Sequence, residues 1–348
     1  GVSILRKILF PFSLLYAAIT GLRNYFYDRG WFKSVSFDIP VIAVGNLSVG
    51  GTGKSPMIEY LVRLLKDDFD LAILSRGYGR KTSGFLLGEN GTNAEMIGDE
   101  PYQFFKKFDG VKVAVDENRV RGVAALLEAK DPPELVLLDD AFQHRRIQAG
   151  LYVLMTSYGK LYSEDQVLPS GNLREPKTGA RRADVILVSK CPNDLKENQR
   201  KSVLDSLKVE DRQEVFFTGI RYADKAIGKA GALTLEELRS YEIVLVTGIA
   251  NPEPLLEYLR EKDIDFEHLK FRDHHQLTQS EHTRIESAFN QFQGVKRIVL
   301  TTEKDFVRNF EFSELPVFYL PIKTRFLDGE ERFNQLIHNY VRKNKGNG

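Results

Sequence analysis

The segment Gly45-Asn46-Leu47-Ser48-Val49-Gly50-Gly51-Thr52-Gly53-Lys54-Ser55 has the residue types needed to hold a polyphosphate. Glycines let backbone N–H groups close around phosphate oxygens. Lys54 can reach the β and γ phosphates, and Ser55, at a helix N-terminus, can offer its hydroxyl to Mg²⁺. Asn46, Gly50, Gly51, Thr52 and Gly53 complete the expected nucleotide-binding set. The spacing departs from G-x-x-x-x-G-K-[ST] at one position, where Ser48 stands for the first glycine, so Gly50 and Gly51 must supply the tight turn. An ordinary glycine turn is the competing reading, and the strand-to-helix context favours phosphate.

A phosphate loop needs a carboxylate for its magnesium. Leu135-Val136-Leu137-Leu138-Asp139-Asp140 is an apolar strand ending in two. One can hold the metal directly or through water, and the other can orient the phosphates. Helix capping is their bland alternative. Phe142, Gln143, His144, Arg145 and Arg146 follow at the same sheet edge, where packing is as good a role for His144 as chemistry.

Transfer of a phosphoryl group to an alcohol also needs a base and cations around the developing charge. Asp99, in Gly98-Asp99-Glu100-Pro101, and the run Asp273-His274-His275 are the candidates. If the two halves of the chain close on one cleft, a carboxylate and a histidine can form the proton-accepting pair. Capping roles for Asp99 and Asp273 stay open. Arg76 and Arg174, with Arg119 and Arg121, suit planar recognition of phosphate or carboxylate, against the ordinary alternative of surface ion pairs. Thr301-Thr302-Glu303-Lys304-Asp305 is either a site wall or a helix cap.

These residues must be positioned by regular elements. Apolar runs at 39–44, 71–74, 111–115, 135–138, 152–154 and 185–188 alternate with helical patterns, as in a parallel sheet covered on both faces. Glycines and charges interrupt the pattern at 217–235, and apolar runs resume at 243–246, 297–300 and 317–320. The expected fold is α/β: a P-loop NTPase-like three-layer α/β/α domain at 31–220, a linker at 221–235, and a smaller α/β domain at 236–348 closing over the cleft. With 348 residues, 42% hydrophobic and 28% charged, the chain is neither disordered, collagenous nor a multi-span membrane protein. Lys and Arg total 49 against 48 Asp and Glu, and this net +1 gives no electrostatic case for nucleic acid. A single cysteine, Cys191, excludes an internal disulfide framework and fits a reducing compartment.

Residues 1–30 form a separate segment. The charge-free stretch Ile8–Leu22 lies between Arg6-Lys7 and Arg23, contains Pro11, and is shorter than the ~20 residues of a comfortable spanning helix. Basic flanks and the following Tyr25, Phe26, Tyr27, Trp31 and Phe32 suit an amphipathic element lying on an anionic membrane surface. A helix docked on the domain is the equal alternative, and a signal peptide is disfavoured by the lack of a small-residue cleavage site.

Taken together, Gly45–Pro56, Ser75–Arg80, Gly98–Pro101, Leu138–His144, Leu173–Pro176, Asp273–His275 and Thr302–Asp305 resemble the bacterial tetraacyldisaccharide 4'-kinase family of lipid A biosynthesis, across nearly the whole chain. The resemblance implies transfer of the ATP γ-phosphoryl group, with Mg²⁺, to the 4'-hydroxyl of a tetraacylated glucosamine disaccharide 1-phosphate. It implies a peripheral protein at the cytoplasmic face of the inner membrane, with no obligate protein partner evident. It places Lys54 and Ser55 at the phosphates and metal, Asp139 and Asp140 at the metal or its shell, and Arg76 and Arg174 in the active site. Asp99 and a histidine of the Asp273–His275 motif would form the base dyad, His274 being preferred over His275. The nearest rival is a GTPase or ATPase switch or transport module. Ser189-Lys190-Cys191-Pro192 lacks the last aspartate of the Asn-Lys-x-Asp guanine-reading pattern, and no Cys/His cluster suggests metal transport.

Overall fold

The computed structural model describes residues 2–345. It begins with helix α1 (Val2–Asp28), and the phosphate loop leads into helix α2 (Lys54–Leu65). Eight strands follow through the first two-thirds of the chain: β1 (Val41–Asn46), β2 (Leu71–Ser75), β3 (Leu86–Leu87), β4 (Lys112–Val115), β5 (Leu135–Asp139), β6 (Leu151–Ser157), β7 (Val185–Ser189) and β8 (Glu214–Tyr222). Then come β9 (Lys225–Gly228), β10 (Gly231–Thr234), β11 (Glu242–Thr247), β12 (Glu267–Lys270), β13 (Arg297–Thr302), β14 (Val317–Leu320) and β15 (Ile322–Phe326).

Two sheets result. The larger runs β15-β8-β7-β6-β1-β5-β2-β4-β3, parallel except for β3 and β15 at its edges. Its inner strands β1, β2, β5 and β7 are buried along their whole length, which is why their sequences are apolar without alternation. On one face α2 buries Met57, Ile58, Leu61, Val62 and Leu65, a spacing that puts them on one helical stripe. Pairing of Val44 with Asp139 and of Asn46 with Met155 sets β1 between β5 and β6, so the loop after β1 opens at the crevice outside the strands' carboxyl ends. The smaller sheet runs β10-β9-β14-β13-β11-β12, with β11 to β14 parallel.

Two expected boundaries are corrected. Residues 221–235 are not a linker: β8 runs through Tyr222, and β9 with β10 forms a hairpin that joins the smaller sheet beside β14. The glycines that suggest a break serve the hairpin, where Gly231 takes φ 140°. Nor does the smaller domain extend to the C-terminus. β15 pairs antiparallel with β8, and the last helix, Glu330–Asn344, buries Phe333, Ile337 and Val341 in the core of the larger domain. At roughly 1.5–3 kcal/mol for each fully buried side chain, this return stitches the first domain closed after the second has been inserted.

By length and composition α1 is a helix that could cross a membrane, longer than the apolar run alone suggests. It lies on the protein by a polar edge. Tyr16 donates to the Arg174 carbonyl at 2.9 Å, the Ser13 hydroxyl accepts the Ser170 amide at 2.8 Å, and Asn24 donates to Glu175 at 3.1 Å. Ile8, Phe12, Leu15 and Ile19 stand about 60% exposed, far more than large apolar side chains on an ordinary helix of a globular protein.

Candidate active site

β1 delivers the chain into the phosphate loop at Asn46, only 1% exposed, whose amide spans the turn to the Gly50 carbonyl at 3.3 Å and to the Thr52 hydroxyl at 3.1 Å. Gly53, just before α2, has φ 87°, the left-handed conformation that a side chain would strain. Ser48 stands at the first-glycine position without such strain, because Leu47–Val49 is extended against 172–174. Arg174 N–H donates to Leu47 O at 2.7 Å, Val49 N–H donates to Asn172 O at 2.8 Å, and Ser48 bridges Leu173. Lys190 Nζ and Ser189 Oγ hold the carbonyls of Gly51 and Thr52.

Lys54 Nζ lies 3.3 Å from Asn46 Oδ1 and 3.8 Å from Asp140. Arg174 forks onto both oxygens of Asp140, at 2.8 and 3.1 Å, and reaches Asn46 Oδ1 at 2.6 Å. Burial raises the Asp140 carboxyl, but Arg174 and Lys54 more than offset it and hold it below its ordinary value. Its neighbour differs. Asp139 accepts from Ser75 at 3.4 Å through Oδ2, while Oδ1 is buried without a partner among the described residues. Burial, then Glu100, push its pKa up to about 7. The Ser55 hydroxyl donates to Glu100 at 3.0 Å, and Glu100 is held low, despite burial, by Lys304, that hydroxyl and Lys54.

A second cluster, expected on the acceptor side, is built from both domains. Asp99 opens the helix Asp99–Lys107 after Gly98, at φ 92°. Arg308 Nε donates to Asp99 Oδ2 at 2.8 Å, and Arg308 Nη2 donates to His274 Nδ1 at 2.9 Å. Lys304 lies 3.5 Å from Glu100, and Lys107 joins Glu59 at 2.8 Å to Glu303 at 2.7 Å. Three of the five non-glycine residues with positive φ among the described residues, Asp140, Lys190 and His274, lie in these two regions. Such strain gathers where surroundings over-determine the backbone.

The sequence and fold match a known family. The sequence profile of the tetraacyldisaccharide-1-P 4'-kinases matches residues 5–342. The tetraacyldisaccharide 4'-kinase of Flavobacterium johnsoniae is 48% identical over 345 residues, 99% of each chain. That of Bacteroides fragilis is 40% identical over 358 residues, covering 99% of this chain and 95% of its own. A crystal structure of LpxK from Aquifex aeolicus in complex with ATP superposes with TM-score 0.77 at 31% identity, covering 97% of this chain and 99% of that one. The chain belongs to this kinase family. It is an ATP-dependent kinase of a lipid A precursor, and the switch and transport readings give way.

In this chain the expected residues meet unevenly. Asn46, Thr52, Lys54, Asp140 and Arg174 form one hydrogen-bonded group, with Ser55 and Asp139 beside it. His275 is taken elsewhere: its Nε2 binds Glu281 at 2.7 Å and its ring stacks on Phe271, so it braces a helix start while His274 faces Asp99 through Arg308. Arg76 is exposed, and its charge is felt at Arg119 and His144. Burial, then Arg119 and other arginines, lower His144 to about 4, so it is a neutral ring at pH 7. Asp99 caps no helix with its side chain; Gly98 is the capping residue. Sequence reasoning missed Glu100 as a partner of Ser55, and missed Arg308 altogether. Glu100 was within reach, since it adjoins Asp99; Arg308 carries no local signal.

Proposed function

We propose that the chain moves the γ-phosphoryl group of ATP, with Mg²⁺, to the 4'-hydroxyl of a tetraacylated glucosamine disaccharide 1-phosphate at the cytoplasmic face of the inner membrane. The observation that carries this is Asp99, bridged to His274 by Arg308 and followed at once by Glu100, which accepts the hydroxyl of Ser55 from the phosphate loop at 3.0 Å. Lys54 and the loop amides hold the β and γ phosphates, and Arg174 holds Asp140 and Asn46 in register beneath them. Asp99 takes the hydroxyl proton as the sugar oxygen bonds to the γ phosphorus and the bridging oxygen departs with ADP. Arg76, exposed at the end of β2, adds positive field for the substrate's phosphate.

The residues present fit a hard cation. The Ser55 hydroxyl, the free oxygen of Asp139 and Glu100 are oxygen donors, the chemistry Mg²⁺ prefers while keeping water and phosphate oxygens as its other ligands. Ser55 and Asp139 would hold the ion, which neutralises charge on the phosphate oxygens when bound. Asp140, with both oxygens on Arg174, acts from its shell.

The apolar side of α1 lies in the lipid headgroup region, with Arg6 and Lys7 towards anionic lipid, as a peripheral rather than spanning element. Through Tyr16 and the Arg174 carbonyl it sets the membrane against the loop that carries Arg174. Acyl chains can then stay in the bilayer while the sugar enters the cleft.

The test follows ADP in detergent micelles with and without the acylated disaccharide. ADP formation that requires the acceptor is the expected result; equal hydrolysis without it overturns the reading.

A further inference from the structure

Arg308 belongs to a short π-type turn, Phe306–Phe310, at the rim of the smaller sheet, and its side chain is only 9% exposed. Behind it stands Asp305, 1% exposed, with Oδ1 at 3.9 Å from Arg308 Nη1. Asp305 is itself fixed: its Oδ2 accepts the Gly248 N–H at 2.9 Å and the Thr302 hydroxyl at 2.7 Å. His274 is tied to the same point, its N–H donating to the Gly248 carbonyl at 3.1 Å with its backbone at φ 55°. A Cβ on Gly248 would come within 2.9 Å of Asp305 Oδ1, so a side chain there would push against the carboxylate that backs Arg308. Arg308, through Asp305, and His274 therefore hang from one residue of the smaller domain, Gly248 just after β11, and reach together toward Asp99 of the larger.

A guanidinium donates and never accepts. The 2.9 Å contact from Arg308 thus requires a lone pair on His274 Nδ1, and in the neutral ring the proton sits on Nε2. The other arm occupies Asp99 Oδ2 and leaves the second carboxylate oxygen for the acceptor hydroxyl. The fork geometry of arginine makes both bonds at once; a lysine ammonium is a single point charge on a flexible stem.

We propose that Arg308 is the positioning residue of the proton acceptor, joining Asp99 to His274 across the domain boundary and fixing the imidazole in its Nε2–H form. The proposal rests on the reading of Asp99 as proton acceptor. An interdomain ion pair alone would need only the charge, which lysine keeps.

The experiment compares the full-length Arg308→Lys and Arg308→Met proteins with wild type, by micelle kinetics, ATP binding, melting temperature and ¹⁵N spectra of the histidine ring. Both variants are expected to lose about 10- to 100-fold in kcat with KM for ATP nearly unchanged. His274 Nδ1 is expected to be unprotonated in wild type and to show mixed tautomers in both variants. Wild-type kcat in Arg308→Lys, or an unchanged His274 tautomer in either variant, overturns the proposal. Should Arg308→Met fail to fold, Arg308→Lys decides alone. Asp99→Asn run alongside separates the two ideas: if it is inactive while Arg308→Lys is fully active, only the role of Arg308 fails, whereas full activity of Asp99→Asn defeats the acceptor reading itself.

Discussion

The phosphate side and the acceptor side of the cleft are built differently. Every group of the first comes from the larger domain and is locked to its neighbours: Asn46 alone contacts Gly50, Thr52, Lys54 and Arg174 from a fully buried position. The second is shared between domains and joined by long side chains, namely Arg308 to Asp99, Lys304 to Glu100, Lys107 to Glu303 and Glu311 to Tyr102. Fixed donors need no rearrangement when phosphate arrives, which is how electrostatic stabilisation works best. A site assembled across a boundary depends on how the domains approach, and its partly exposed ion pairs weaken in salt. In the proposed reading the grip on ATP is thus prepared in advance, and the acceptor's base is put together by domain contact.

That contrast breaks most visibly at Asp99. Asp99→Asn is expected to lower the single-turnover rate by about 10²–10⁴, the usual worth of a general base, with ATP affinity unchanged. An equal loss of ATP binding would merge the two sides. Lys54→Met acts on the phosphate side and is expected to lower both ATP affinity and kcat/KM, by about 10²–10³ in the latter. Steady-state kinetics with nucleotide binding measures both.

Protons sharpen the comparison further. Asp139, raised to about 7, must be ionised to hold Mg²⁺, so apparent metal affinity is expected to fall up to about tenfold per pH unit below 7, measurable by calorimetry. The sign for folding is opposite. A carboxyl raised in the fold stabilises most below its unfolded pKa of about 4, and that contribution is lost as pH rises through 7. Asp139→Asn is therefore expected to be inactive yet to melt above wild type at pH 8, in metal-free buffer. The smallest effect is at Lys107, whose replacement by Met leaves Glu59 and Glu303 facing each other without their shared cation. KM for the lipid is expected to rise about three- to tenfold, with ATP binding intact.

What the sequence made legible follows the same division. The strand-loop-helix unit at 41–65, the carboxylates at the end of β5 and the parallel strands are local patterns, and each lies where its residues predict it. The acceptor side depends on contacts far apart in sequence: 209 positions separate Asp99 from Arg308, and only the fold shows that they touch. His274 and His275 are adjacent and chemically equal, and only the fold tells them apart, Glu281 capturing the second while Arg308 reaches the first. The return of β15 and the final helix to the first domain was hidden for a related reason. Their apolar spacing states that they are buried, without stating against which sheet.

The most direct measurement follows labelled γ-phosphate from ATP into lipid, with Mg²⁺ in micelles, for wild type and Asp99→Asn under matched ATP saturation. The account predicts label on the disaccharide from wild type, and from Asp99→Asn bound ATP with almost no labelled lipid. Lipid labelled equally by both proteins, or by neither while both hold ATP, would contradict it.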